Sequence, residues 1–112
     1  MPDPGYLIIL FDAPTSPEFD EWFYAEHYQD VLRTPGVTAF RRLAIQNSDS
    51  DRHRFMGLIE TADVEATLAA RASEAGQRSQ QEANRHGVRH RTVIVTRTLF
   101  EALPGAAPRR LA

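Results

Sequence analysis

The sequence predicts one α+β domain in which four strands and two helices follow one another in the order β-α-β-β-α-β. Three observations support this prediction. The chain has 112 residues, which is a usual length for one domain. Four short segments are rich in apolar or β-branched residues, and the two longer segments between them begin with residues that start helices. Strand–helix–strand units with short connections cross over right-handed, which places both helices on one face of a four-stranded antiparallel sheet.

The first half of the chain supplies a strand, a helix and a second strand. The apolar run at residues 6–11 predicts a strand that is buried on both faces. Thr15 is in position to cap a helix that carries Pro17 in its first turn, where the missing N–H of proline costs nothing. We expect this helix to end near Arg33, just before a Pro-Gly pair, and residues 37–45 to form the second strand.

The second half of the chain supplies the remaining elements. Residues 53–60 predict the third strand, and an Ala-rich helix then reaches about Asn84. Residues 91–100 are rich in Val, Ile and Thr and predict the last strand. We therefore expect a domain at residues 1–103 and a loose tail at residues 104–112.

The first strand is apolar on both faces, with Tyr6, Ile8 and Leu10 on one and Leu7, Ile9 and Phe11 on the other. A sheet with one face in water should alternate apolar and polar residues, and this strand does not. Since the helices cover only one face, a second surface is needed for the other. An identical sheet is the simplest cover, so the sequence predicts a two-fold homodimer.

Composition excludes several classes of protein. The charged residues are 25% of the chain and the net charge is −2, so we expect neither nucleic acid nor a membrane as partner. The basic residues are all Arg, and Lys and Cys are absent, which excludes a Schiff-base lysine, a thiolate nucleophile and a disulfide scaffold. The acidic start of the chain predicts a cytoplasmic protein. An RNA-binding module with the same element order would need more exposed rings than the third strand carries.

The first helix contains the most informative histidine. At about 100° per residue, Phe19, Phe23, His27 and Val31 fall on one face of that helix, so the imidazole of His27 points inward. Histidine accepts and donates protons near neutral pH, which makes His27 a candidate general base. A core histidine that is bonded to a backbone carbonyl is the alternative. Trp22 lies on the adjacent edge, where a surface or dimer-contact role competes with substrate contact.

The other histidines carry weaker signals. His53 begins the third strand and has the same parity as Phe55 and Gly57, so it is a second candidate. His86 and His90 lie in a stretch that also holds three Arg, which argues against a cation there, and we expect no metal.

The chain resembles a known family between its first helix and second strand. The segment with Trp22, Glu26 and His27, followed by Pro35-Gly36 and then Arg41-Arg42, is similar to the pattern of dimeric α/β-barrel proteins, and within them to the EthD-like and methylmuconolactone isomerase-like group. This resemblance implies a ferredoxin-like subunit that dimerises sheet to sheet and encloses a small-molecule cavity between sheet and helices. Members include isomerases, polyketide cyclases, dehydratases and cofactor-free monooxygenases.

The resemblance also implies roles for individual residues. A helix-one histidine and a histidine at the start of the third strand face the cavity in the isomerase-like members, and these positions match His27 and His53. Candidate substrate-binding residues are the hydroxyl, aromatic and guanidinium groups of Tyr6, Trp22, Phe23, Tyr24 and Arg41. We expect a cofactor-independent isomerase, cyclase or lyase that acts on a small apolar carbonyl compound. The alternatives are a cofactor-free monooxygenase and a non-catalytic small-molecule-binding dimer.

Overall fold

A computed structural model describes residues 2–49 and 52–112 and has the predicted fold class. Four strands and two helical regions follow the predicted order, and a short hairpin is added at the end of the chain. The elements are β1 (Gly5–Asp12), α1 (Pro17–Trp22), a π-helical segment (Phe23–His27), α2 (Tyr28–Leu32), β2 (Val37–Ala44), β3 (Phe55–Thr61), α3 (Val64–Ala72), α4 (Glu74–Arg85), β4 (Arg89–Val95), β5 (Phe100–Glu101) and β6 (Arg109–Arg110).

The main sheet has the strand order β2-β3-β1-β4, and every pair in it is antiparallel. The odd-numbered side chains of β1, including Leu7 and Phe11, are buried with Phe19, Phe23 and Val64 of the helices. All the helices therefore pack on one face of the sheet, as predicted. The opposite face carries the even-numbered side chains of β1 and their cross-strand neighbours.

The first helical region begins one residue later than predicted and is not a regular α-helix. Ser16, rather than Thr15, is the N-cap, and its Oγ accepts a hydrogen bond of 3.2 Å from the N–H of Phe19. Between α1 and α2 the backbone widens into a π-helical turn, in which the N–H of Tyr28 donates to the carbonyl of Phe23. A π-helical turn inserts one extra residue and rotates everything after it.

The second helical region is interrupted at Ser73, which has extended backbone angles. Its Oγ accepts a hydrogen bond of 3.2 Å from the N–H of Gly76 and so caps α4. A Cβ at Gly76 would lie 2.3 Å from the carbonyl oxygen of Ala70, so the start of α4 packs tightly against the end of α3. The helix that the sequence predicts as continuous is two helices, because Ser73 leaves the helical conformation, and the lack of a side chain at Gly76 allows their close approach.

The end of the chain differs from the prediction in two ways. β4 ends at Val95, before the predicted limit of the last strand. β5 and β6 pair as a hairpin, in which Arg109 lies 3.0 Å from a carboxylate oxygen of Glu101. Part of the tail that the sequence predicts as loose is therefore paired with the segment before it. No helix in the described part of the chain combines the length and apolar character needed to cross a bilayer.

Candidate active site

A cavity of about 890 Å³ lies between the sheet and the helices. Its floor is the helix-facing side of the sheet, where Ile9, Phe40 and Ile59 supply apolar surface. Gly57 lies in the same floor, and a Cβ there would stand 3.4 Å from the ring of Phe40. Because Gly57 has no side chain, the cavity extends down to the backbone in the middle of its floor. Polar and charged side chains of the helices line the rest of the cavity, and its size is that of a small-molecule site.

His27 lies at the end of the π-helical segment, and its ring lines the cavity. The ring is stacked on Trp22, with 4.8 Å between centroids, and lies 5.1 Å from the ring of Phe23 and 6.3 Å from that of Phe40. The aromatic neighbours hold the imidazole in place without hydrogen bonds. Its Nδ1 is buried and has no hydrogen-bond partner among the described residues. A buried polar atom without a partner is uncommon in a folded protein and is costly for a charged ring.

The environment of His27 favours the neutral imidazole. Burial lowers the pKa of His27 from 6.5 to about 4. The carboxylate of Asp30 acts in the opposite direction, while the positive charges of Arg91 and Arg71 and the ring of His86 lower the pKa further. At neutral pH the ring is therefore uncharged and can act as a base.

Trp22 is buried, with only 7% of its surface exposed, which contradicts a surface role, and it is not among the residues that line the cavity, where substrate contact was expected. Its ring is stacked between His27 and His86, and the centroid of His86 is 4.0 Å away. His86 in turn lies 3.1 Å from a carboxylate oxygen of Glu82. Residues 22 and 27 would be about 140° apart on an α-helix, and the π-helical turn brings them onto one side.

The remaining candidates lie apart from one another. Phe23 lines the cavity, but Tyr24 is 60% exposed and its hydroxyl accepts a hydrogen bond of 3.0 Å from Arg42. Tyr6 pairs with Glu60 on the opposite face of the sheet, and Arg41 is exposed and 4.0 Å from a carboxylate oxygen of Glu60. The structure therefore places neither Tyr6 nor Arg41 beside His27.

His53 also lies outside the cavity. β3 begins at Phe55, so the strand parity that predicts an inward His53 does not extend to it. The Nε2 of His53 is 3.3 Å from the hydroxyl of Thr92, which pairs with Leu10 on the face opposite the helices. Within one chain, the two histidines predicted to act together are on different sides of the sheet.

Sequence reasoning missed two arginines that line the cavity, Arg71 on α3 and Arg91 on β4. Both are partly buried. They are separated by 20 positions, and no local pattern joins them, because only the packing of α3 and α4 against the sheet brings them to one wall. An Arg in a strand that is otherwise rich in β-branched residues was the only available signal, at Arg91. Within residues 2–49 and 52–112, no group of three or more His, Cys, Asp or Glu side chains is placed to hold a metal.

Comparisons with known proteins identify the fold. No family model and no curated protein matches the chain. Solved structures do match: an EthD family protein from Bacillus halodurans is 20% identical with a TM-score of 0.61, covering 83% of this chain and 96% of its own. The cofactor-independent oxygenase SnoaB from Streptomyces nogalater is 18% identical with a TM-score of 0.58, covering 91% of this chain and 98% of its own.

A dimeric ferredoxin-like protein of unknown function from Thermobifida fusca is 10% identical with a TM-score of 0.64, and the match covers 88% of this chain and 93% of that protein. The chain therefore has a ferredoxin-like fold. Identities this low establish the fold and leave the activity to be argued from the site.

Proposed function

We propose that the protein is a cofactor-independent enzyme that removes a proton next to the carbonyl group of a small, largely apolar molecule. His27 is the base. The observation that carries the proposal is its imidazole ring, which lines the cavity above an apolar floor and is fixed by packing against aromatic rings. We assign no role to His53, because it lies on the other side of the sheet.

The first step of the chemistry needs a neutral imidazole in contact with the substrate. The imidazole takes the proton from the carbon beside the carbonyl, and the electron pair of the broken C–H bond moves onto the carbonyl oxygen as an enolate. The enolate then takes the proton back from the imidazolium at a conjugated carbon, attacks an electrophilic carbon of the same molecule to close a ring, or expels a β-hydroxyl group, which leaves as water with the proton of the imidazolium. These outcomes correspond to isomerisation, cyclisation and dehydration. Arg71 and Arg91 stand on the same wall and favour the negative charge that develops.

A cofactor-free oxygenase is the second candidate, and the fold shared with SnoaB supports it. The first step is the same, since a carbanion must form before it meets O₂. Oxygen consumption that accompanies turnover separates the two candidates. A dimer that binds a small molecule without turnover is the third candidate, and it predicts no proton transfer at all.

We also propose that the functional unit is a homodimer formed through the sheet face that lacks helices. Ile94 and Leu43 are 42% and 40% exposed in the single chain, and Ile8, Leu10 and Leu58 lie beside them in the sheet register. Covering this surface is favourable by about 25 cal/mol for each Å² of apolar area. The dimeric ferredoxin-like protein from Thermobifida fusca has the same fold.

A cytoplasmic location stays a prediction from the sequence.

Proton removal is measured directly by incubating the protein in D₂O with a panel of small aryl ketones, β-keto esters and apolar keto acids, and following loss of the α-proton signals by NMR. We expect the wild type to exchange the α-proton of at least one compound faster than buffer does. Loss of a general base costs about 10²–10⁴ in rate, so His27→Gln should lose the exchange while the protein remains folded.

His90→Asn and His53→Gln are the matched controls. Each removes an imidazole outside the cavity, and His90 has a positive φ of 57° that asparagine tolerates. Both should exchange at the wild-type rate. The absence of exchange with every compound would contradict an enzymatic role, and exchange that persists in His27→Gln would exclude His27 as the base.

A further inference from the structure

Two arginines on the cavity wall, Arg71 and Arg91, have no carboxylate partner within residues 2–49 and 52–112. Of the arginines that line the cavity, Arg33 lies 3.3 Å from a carboxylate oxygen of Asp30 and Arg78 lies 2.8 Å from one of Glu74. Arg85 is paired with Glu82. Neither Arg71 nor Arg91 forms an ion pair with any of the residues that the structure describes. These two are also partly buried, whereas the three paired arginines are exposed.

Neutral groups of α4 position the guanidinium of Arg91. It donates to the side-chain oxygen of Asn84 and, at 3.3 Å, to the backbone carbonyl of Gln80. The side chain of Gln80 donates to the carbonyl of Arg71 at 3.0 Å, so the same residue links the two arginine positions. Each contact leaves the positive charge of Arg91 uncompensated.

The two charges are close enough to affect each other and the base. Burial lowers the pKa of Arg71, and burial together with the charge of Arg71 lowers the pKa of Arg91. Both arginines also act on His27. Holding two like charges in a partly buried wall is costly unless an anion joins them.

We propose that Arg71 and Arg91 form a carboxylate-binding site in the cavity, and that the molecule bound there is a small apolar carboxylic acid. The carboxylate lies against the two guanidinium groups, and the apolar body lies over the floor of Ile9, Phe40 and Ile59. This inference rests on the proposed function in naming the substrate class of the same cavity. Guanidinium groups are the side chains best suited to hold a carboxylate through charge-assisted hydrogen bonds.

Binding of 2-naphthoate and of its neutral amide, 2-naphthamide, tests the site without any turnover. The two probes share shape and apolar area and differ in charge, and isothermal titration calorimetry gives both affinities. We expect the wild type to bind the carboxylate about tenfold more tightly than the amide, the range of one charge-assisted hydrogen bond. Arg71→Gln and Arg91→Gln should each bring this ratio close to one. Arg71→Lys, which keeps the charge, should retain part of it.

Arg89→Gln is the matched control. Arg89 is exposed and lies on β4, as Arg91 does, and the substitution removes the same charge. It should keep the wild-type ratio, and melting temperatures identify any variant that fails to fold. Equal affinity for acid and amide in the wild type would overturn the proposal. An unchanged preference in both Arg71→Gln and Arg91→Gln would overturn it as well. A positive result with no proton exchange in any assay would leave a carboxylate-binding protein and reject the enzyme.

Discussion

The buried hydroxyl of Thr67 joins three segments beside the cavity: the end of β3, the Pro35-Gly36 turn and α3. Its Oγ1 lies 2.7 Å from the hydroxyl of Thr61 and 2.8 Å from the carbonyl of Pro35, and the side chain is almost fully buried. Gly36 has a φ of +87°, and a Cβ there would come within 2.9 Å of the same hydroxyl. The Pro-Gly turn that ends the first helical region therefore sits directly on α3.

The substitution Thr67→Val should destabilise the protein by about 1–3 kcal/mol in urea denaturation. Valine has nearly the same shape, so the loss comes from the buried groups of Thr61 and Pro35 that are left without this partner. Thr15→Val makes the same change at an exposed position and should stay within about 0.5 kcal/mol of the wild type. A Thr67→Val variant as stable as the control would show that the hydrogen bonds of the Thr67 hydroxyl do not stabilise the fold.

At this scale the sequence predicts some of the structure. Pro35-Gly36 signals the end of a helix, and the spacing of His27 from Phe23 signals an inward imidazole. Thr67 carries no such signal, because its role comes from a contact with a turn 32 residues away. The position of Trp22 relative to His27 is predicted wrongly for a different reason. A rotation of 100° per residue holds only in an α-helix, and the π-helical segment begins directly after Trp22.

At the scale of elements, the sheet has one face under the helices and one that is open in the single chain. The helix face contains the cavity and both apolar clusters of the core. The open face contains Ile8, Leu10 and Leu58, with Ile94 and Leu43 at its more exposed positions. The apolar character of both faces of β1 is readable from the sequence, because side chains alternate along a strand.

The substitution Ile94→Glu should convert the dimer to a monomer, because a carboxylate on this face must be buried against its symmetry-related copy. Light scattering after size-exclusion chromatography should give the mass of two chains for the wild type and of one chain for the variant at low micromolar concentration. Leu103→Glu places the same charge at an exposed apolar residue outside the sheet and should remain dimeric. A monomeric wild type would contradict the proposed assembly, and a dimeric Ile94→Glu would place the interface elsewhere.

At the scale of the whole molecule, the fold was easier to predict than the site. Element order and helix placement follow from local patterns and from the handedness of crossovers. The cavity wall instead combines His27 from the first helical region, Arg71 from α3 and Arg91 from β4, and packing alone decides that they meet. Strand parity failed at His53 because the strand begins two residues later, at Phe55.

The pH dependence of kcat/KM for α-proton exchange tests the central claim most directly, since it reports the pKa of the essential base in the free enzyme. A base whose pKa is lowered to about 4 is already neutral at pH 5.5. With a substrate that does not titrate between pH 5.5 and pH 8, we therefore predict a nearly constant kcat/KM over that range. A base with the ordinary histidine pKa of about 6.5 would instead give a rise of about tenfold. Such a rise would show that a buried, neutral His27 is not the group that takes the proton.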